Sequence, residues 1–124
     1  MNKPLTFLFS LTFLFLFSGS VYGEEPEVIR LYWNKEKLMS EVPSINGKRD
    51  GLETSWYFSG QKSGTIDWKK GKRDGVAKGW YKSGRKKYLR HYKNGIENGM
   101  RKNWDEDGKL TFEGNFVDGV EEIK

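Results

Sequence analysis

The chain has 124 residues, a net charge of +5, 15 glycines, five tryptophans and no cysteine. That length holds one domain or a short repeat array. The missing thiols exclude disulfides, a thiol nucleophile and thiolate metal ligands. Beyond residue 23, only 18 of 101 residues are Leu, Ile, Val or Phe, while 13 are Trp, Tyr or Phe. So few aliphatics would signal disorder, but disordered chains are poor in Trp and Tyr. The composition fits a thin β structure and argues against a deep core or a buried active site.

The first segment reads as an address. A positive start at Lys3 leads into an apolar run from Leu5 to Phe17, then small residues from Ser18 to Gly23, then Glu24-Glu25. This is the layout of a secretory signal peptide at 1–23, cut after Gly23, with Val21 and Gly23 as the small residues a peptidase needs. The alternative is an uncleaved membrane anchor, although the apolar core is shorter than the roughly 20 residues of a spanning helix. Residues 24–27 form an acidic linker. The protein is expected outside the cytoplasm, periplasmic or at the cell surface.

From Val28 onward the chain falls into ungapped rows of 24 residues: 28–51, 52–75, 76–99 and 100–124, the last with one residue to spare. Each row opens on an apolar residue (Val28, Leu52, Val76, Met100), and its fifth position is aromatic (Tyr32, Trp56, Trp80, Trp104). Ten glycines hold three columns: Gly60, Gly84 and Gly108; Gly47, Gly71, Gly95 and Gly119; Gly51, Gly75 and Gly99. Row one is degenerate, as terminal repeats often are.

Each row predicts two strands. The first ends at a Ser-Gly or Asp-Gly pair, read as a two-residue hairpin turn. The second ends at a wider Gly-x-x-x-Gly loop. Alternation along single strands groups Leu52, Trp56 and Phe58, and likewise Ile66 and Trp68, Tyr88 and Tyr92, Leu110, Phe112 and Phe116. One face is expected to be aromatic. The other is expected to be polar, with Tyr57, Tyr81 and Leu89 as exceptions. The predicted fold is all-β: an antiparallel meander of four hairpin repeats, about eight strands, in a single elongated twisted sheet.

The runs Asn46–Gly51, Lys70–Gly75 and Asn94–Gly99, with Trp56–Gly60 and Trp80–Gly84, resemble MORN repeats, and most closely the bacterial MORN-variant group of YwqK-type antitoxins. The resemblance covers residues 28 to 120. It implies a non-enzymatic scaffold or binding module. It also brings two further partner classes: membrane lipid, and a toxin partner for an antitoxin or immunity protein.

Chemistry-bearing patterns are sparse. His91 is the one histidine and reads as structural. The acidic run Asp105-Glu106-Asp107 lacks EF-hand spacing, and Gly-Lys-Arg-Asp-Gly lacks the phosphate-loop pattern and its helix. No catalytic residue, cofactor or metal is expected. Charge is more informative: residues 24–27 carry −3, row three +6 and residues 100–124 −3. Like charge at both ends disfavours end-to-end polymerisation. The candidate binding residues are Trp56, Trp68, Trp80, Tyr88, Tyr92, Trp104 and Phe112, with Lys82, Lys86 and Arg90. The aromatic ladder reads either as packing or as an exposed groove for a peptide or sugar. The expected partner is a protein, with an anionic lipid or a cell-wall glycan as alternatives. Export weighs against nucleic acid.

Overall fold

The computed structural model describes residues 26–124. The signal peptide or anchor read at 1–23 and the first two residues of the acidic linker lie outside the described residues. Among the described residues no helix is long and apolar enough to cross a membrane. The strands are β1 (Glu27–Tyr32), β2 (Leu38–Ile45), β3 (Lys48–Arg49), β4 (Gly51–Trp56), β5 (Lys62–Lys69), β6 (Lys72–Trp80), β7 (Lys86–Lys93), β8 (Ile96–Glu97), β9 (Gly99–Trp104), β10 (Leu110–Val117) and β11 (Val120–Glu121). They form one antiparallel sheet in the order β1-β2-β4-β5-β6-β7-β9-β10-β11, with β3 on β2 and β8 on β7. The count exceeds eight because β3, β8 and β11 are two-residue pieces flanking the turns.

The two turn types are the reverse of the sequence reading. At Ser59-Gly60 the loop has three residues, Phe58 to Gly60. The Tyr57 N–H donates to the Gln61 carbonyl and the Gly60 N–H to the Tyr57 carbonyl, both at 2.9 Å. Only the glycine has positive φ (96°). A type I′ turn needs positive φ at both central residues, so the loop takes the three-residue form with glycine in the left-handed region. The same bonds recur at Tyr81–Arg85 and Asp105–Lys109.

The expected wide loop is instead a tight two-residue turn. Asn46-Gly47, Lys70-Gly71, Asn94-Gly95 and Asp118-Gly119 all have positive φ at both residues, the type I′ signature. The second glycine of each pair four apart sits in a bulge, with φ of 122° at Gly51, 118° at Gly75 and 119° at Gly99. A Cβ there would lie 3.1 Å from Pro43, 2.7 Å from Asp67 and 3.0 Å from His91, respectively. All three positions disfavour a side chain by backbone angle, and the space is tight at Gly51 and Gly99 and closed at Gly75.

Successive hairpins are tied by hydrogen bonds that recur every 24 residues. At one end Trp33 Nε1 donates to the Trp56 carbonyl (3.1 Å), the Tyr57 hydroxyl to the Trp80 carbonyl (2.7 Å) and the Tyr81 hydroxyl to the Trp104 carbonyl (2.8 Å). At the other end Gly71, Gly95 and Gly119 N–H groups donate to the Arg49, Arg73 and Glu97 carbonyls. Two of the three aromatic or apolar exceptions on the expected polar face are therefore the hydroxyl ties between repeats. In the last row Asp105 takes the tyrosine position, and its carboxylate accepts from the Asp107 and Lys109 N–H groups of its own turn.

The expected single aromatic face is not what forms. Leu52 pairs with Asp67 and Glu53 with Ile66; Val76 pairs with His91, and Met100 with Asn115. Directly paired residues share a face. The apolar column of each first strand therefore lies opposite the apolar column of each second strand. One face, here the tryptophan face, carries Leu52, Val76 and Met100 with Trp56, Trp80 and Trp104. The other, the ring face, carries Trp68, Tyr88, Tyr92, Phe112 and Phe116. Among the described residues neither face has a second layer, and the buried apolar residues are Val42, Ala77 and Phe116, while Leu52 is 52% exposed and Phe58 50%.

Gly84 has φ of 87°, and a Cβ at this position would meet nothing within 4 Å, so replacing the glycine meets backbone strain alone. Gly84→Val is expected to lower unfolding stability by about 1–2 kcal/mol or more, and Lys86→Ala by no more than about 0.5–1 kcal/mol, the value of its contact with the Trp104 ring. Urea denaturation distinguishes the two; equal midpoints would refute the turn assignment.

Candidate functional site

The ring face is filled by its own side chains. Trp68 lies under two guanidiniums, Arg49 at 5.0 Å and Arg73 at 5.8 Å from the ring centre. Arg73 also covers Tyr92, Arg90 covers Tyr88, and Arg101 covers Phe112 and Phe116. Trp68 Nε1 donates to Glu53 Oε2 at 2.6 Å. Glu53 is only 9% exposed, and Arg49 stands 3.9 Å from the same carboxylate. A buried carboxylate needs both hydrogen bonding and a cation nearby, and here it has both. Trp68, Tyr92, Phe112 and Arg90, proposed from sequence as binding residues, thus serve packing on this face.

The tryptophan face is more open. Each column-five tryptophan follows a register shift, at Ser55/Trp56 and at Gly79/Trp80. Lysines approach these rings at a 24-residue interval, Lys62 at 5.8 Å from Trp80 and Lys86 at 5.7 Å from Trp104. Exposed contacts of this kind contribute about 0.5–1 kcal/mol. Between Trp80 and Trp104 runs a groove of about 290 Å³, lined by Lys78, Gly79, Trp80, Lys86, Tyr88, Leu89 and Trp104. Its lining includes four of the sequence-proposed residues: Trp80, Trp104 and Lys86 on this face, and Tyr88, whose ring points to the ring face. Trp56 and Lys82 stand apart from it. The Trp56 carbonyl is taken by Trp33, and Lys82 lies 5.8 Å from the Tyr57 ring.

Sequence reasoning missed Lys78 and Leu89, which pair directly across β6 and β7. The signal was present: Leu89 stood out as an apolar residue on a supposedly polar face. Gly79 was missed as well. A Cβ there would lie 2.2 Å from Tyr88 Cε1, so the phenol ring lies against the bare glycine backbone.

His91 is structural. Its Nδ1 is 2.7 Å from the Met100 carbonyl, which cannot donate, so Nδ1 carries the proton. Among the described residues no group of three or more His, Cys, Asp or Glu could hold a metal ion.

Burial pushes the Tyr88 phenol above its ordinary value of 10.0, against the opposing pull of the Arg90 cation. A raised folded pKa means that the neutral phenol is favoured by folding. Its stabilising contribution is full below pH 10 and is lost as pH rises through the folded value. Unfolding free energy is therefore expected to fall more steeply above pH 10 in the native protein than in Tyr88→Phe. Urea titrations between pH 8 and 11 test this; parallel curves would contradict it.

The MORN repeat variant family model matches residues 73–94 and 97–118. The two matches start one 24-residue period apart and cover the strands that build the groove. No curated protein and no solved structure matches the chain.

Proposed function

We propose that this MORN-repeat-like protein is an exported, non-catalytic scaffold that binds a partner protein through the groove between Trp80 and Trp104. MORN repeats are non-catalytic modules that engage proteins or membrane lipids. The groove is the observation that carries the proposal. It offers apolar walls from Trp80, Trp104 and Leu89 with ammonium groups at Lys78 and Lys86. Most of its lining lies in the most basic of the four rows, the +6 row at 76–99. Such a lining suits a peptide segment with an apolar side chain flanked by carboxylates. Tryptophans in a well-packed contact are typical energetic centres of protein interfaces, and lysines around them steer an acidic partner. The N-terminal segment supports export by its layout.

Crosslinking in the native envelope tests this reading. A crosslinked partner is expected with the native chain. Trp80→Ala or Trp104→Ala should reduce its affinity by more than about tenfold, in line with hot-spot truncations of about 2 kcal/mol. Recovery of monomer alone would sink the proposal. Salt-sensitive binding to anionic vesicles, or retention on purified cell wall, without a protein crosslink would replace it with a lipid or glycan reading.

A further inference from the structure

The sheet contains one inter-repeat junction used three times. The second strand of each hairpin takes the first strand of the next at the same place: Ser40 opposite Ser55, Gly64 opposite Gly79 and Tyr88 opposite Asn103. The corresponding strand of the last described hairpin is β10. It pairs with β9 along one side. On its other side β11 covers only Phe116 and Val117. Among the described residues nothing pairs with that side from Leu110 to Gly114. The Asn115 carbonyl accepts from the Glu122 N–H on that side. By the alternation of strand hydrogen bonds, the N–H and C=O of Glu113 point the same way and have no partner among the described residues.

We propose that this edge of β10 receives an extended, basic segment of a partner protein as an added antiparallel strand, in the register of the three internal junctions. Strand addition to an exposed sheet edge is an established recognition mode, in which backbone bonds supply affinity and side chains supply selectivity. Charge identifies the occupant. Residues 100–124 carry −3, and the Glu113 side chain is 47% exposed, with Lys102 as its cation at 3.4 Å. In the three internal junctions the residue facing the Glu113 position is Thr54 opposite Glu41, Lys78 opposite Thr65 and Lys102 opposite Leu89, a lysine in two of the three. A lysine or arginine of the added strand would face a carboxylate at this edge. A second copy of the chain fits less well: among the described residues its other outer strand is β1, which begins within the −3 segment 24–27, and Arg30 there is paired with Glu41 at 3.3 Å. This edge shares no residue with the Trp80–Trp104 groove, so either site stands without the other.

The probe is a fluorescent synthetic peptide of residues 73–82, whose Lys78 would face Glu113 in the junction register. Saturable binding to the protein is expected, with slowed hydrogen exchange at the Glu113 amide. Glu113→Pro removes the edge N–H while leaving the β9 side of β10 intact, and edge strands tolerate proline; it should abolish binding. Should that variant fold poorly, Glu113→Lys keeps the backbone and should weaken binding by about tenfold or more through like-charge repulsion. Lys78→Glu in the peptide should do the same, and Trp80→Ala in the protein should have no effect. No binding at millimolar peptide, or binding indifferent to both Glu113 variants, would overturn the proposal. So would a protein that self-associates through this edge and becomes monomeric on Glu113→Pro.

Discussion

Everything in this molecule depends on how one hairpin is tied to the next. Among the described residues the single sheet has no second layer and cannot rely on a core, since Val42, Ala77 and Phe116 are too few to make one. The ties are directional instead. The hydroxyls of Tyr57 and Tyr81 cross to the Trp80 and Trp104 carbonyls at one end of the hairpins. The turn amides of Gly71, Gly95 and Gly119 cross to the preceding turn at the other. Each bond contributes about 0.5–1.5 kcal/mol net. Their recurrence makes stability a sum of neighbour terms, as in other repeat proteins. Asp105 shows the logic in reverse: where the tyrosine is absent, its side chain closes its own turn.

With both faces exposed to water, rings and cations are distributed rather than segregated. Guanidiniums lie over the second-strand rings, and ammonium groups over the first-strand rings. Both kinds of side chain can cover aromatic surface with an aliphatic stem while the charge stays hydrated. A basic, aromatic-rich and aliphatic-poor composition can in this way fold without a buried core. The same arrangement leaves a groove where Leu89 interrupts the charged columns between Trp80 and Trp104. The groove is thus a local variation in the repeating scaffold.

The 24-residue period, the hairpin meander and the positions of the turns were legible in the sequence because glycine marks them. The ten column glycines all have positive φ, a region that other residues adopt only with strain. Part of the groove was legible too, through Trp80, Tyr88, Trp104 and Lys86. Lys78 and Leu89 were not, because their significance comes from pairing across β6 and β7. Trp68 looked like a binding residue, yet its indole N–H is committed to Glu53, a partner 15 positions away that no column pattern joins to it.

What the sequence determined by itself is the alternation within each strand and the places where the chain reverses. Only the tertiary structure decided how the alternation of one strand meets that of the next. The three-residue loop at Ser59-Gly60, the type I′ turn at Lys70-Gly71 and the bulge at Gly75 together set the register. A shift of one residue in that register moves every side chain of a strand to the other face. Leu52 and Trp68 look like members of one apolar face when each strand is read alone. The pairing of Leu52 with Asp67 and of Gly51 with Trp68 places them on opposite sides of the sheet.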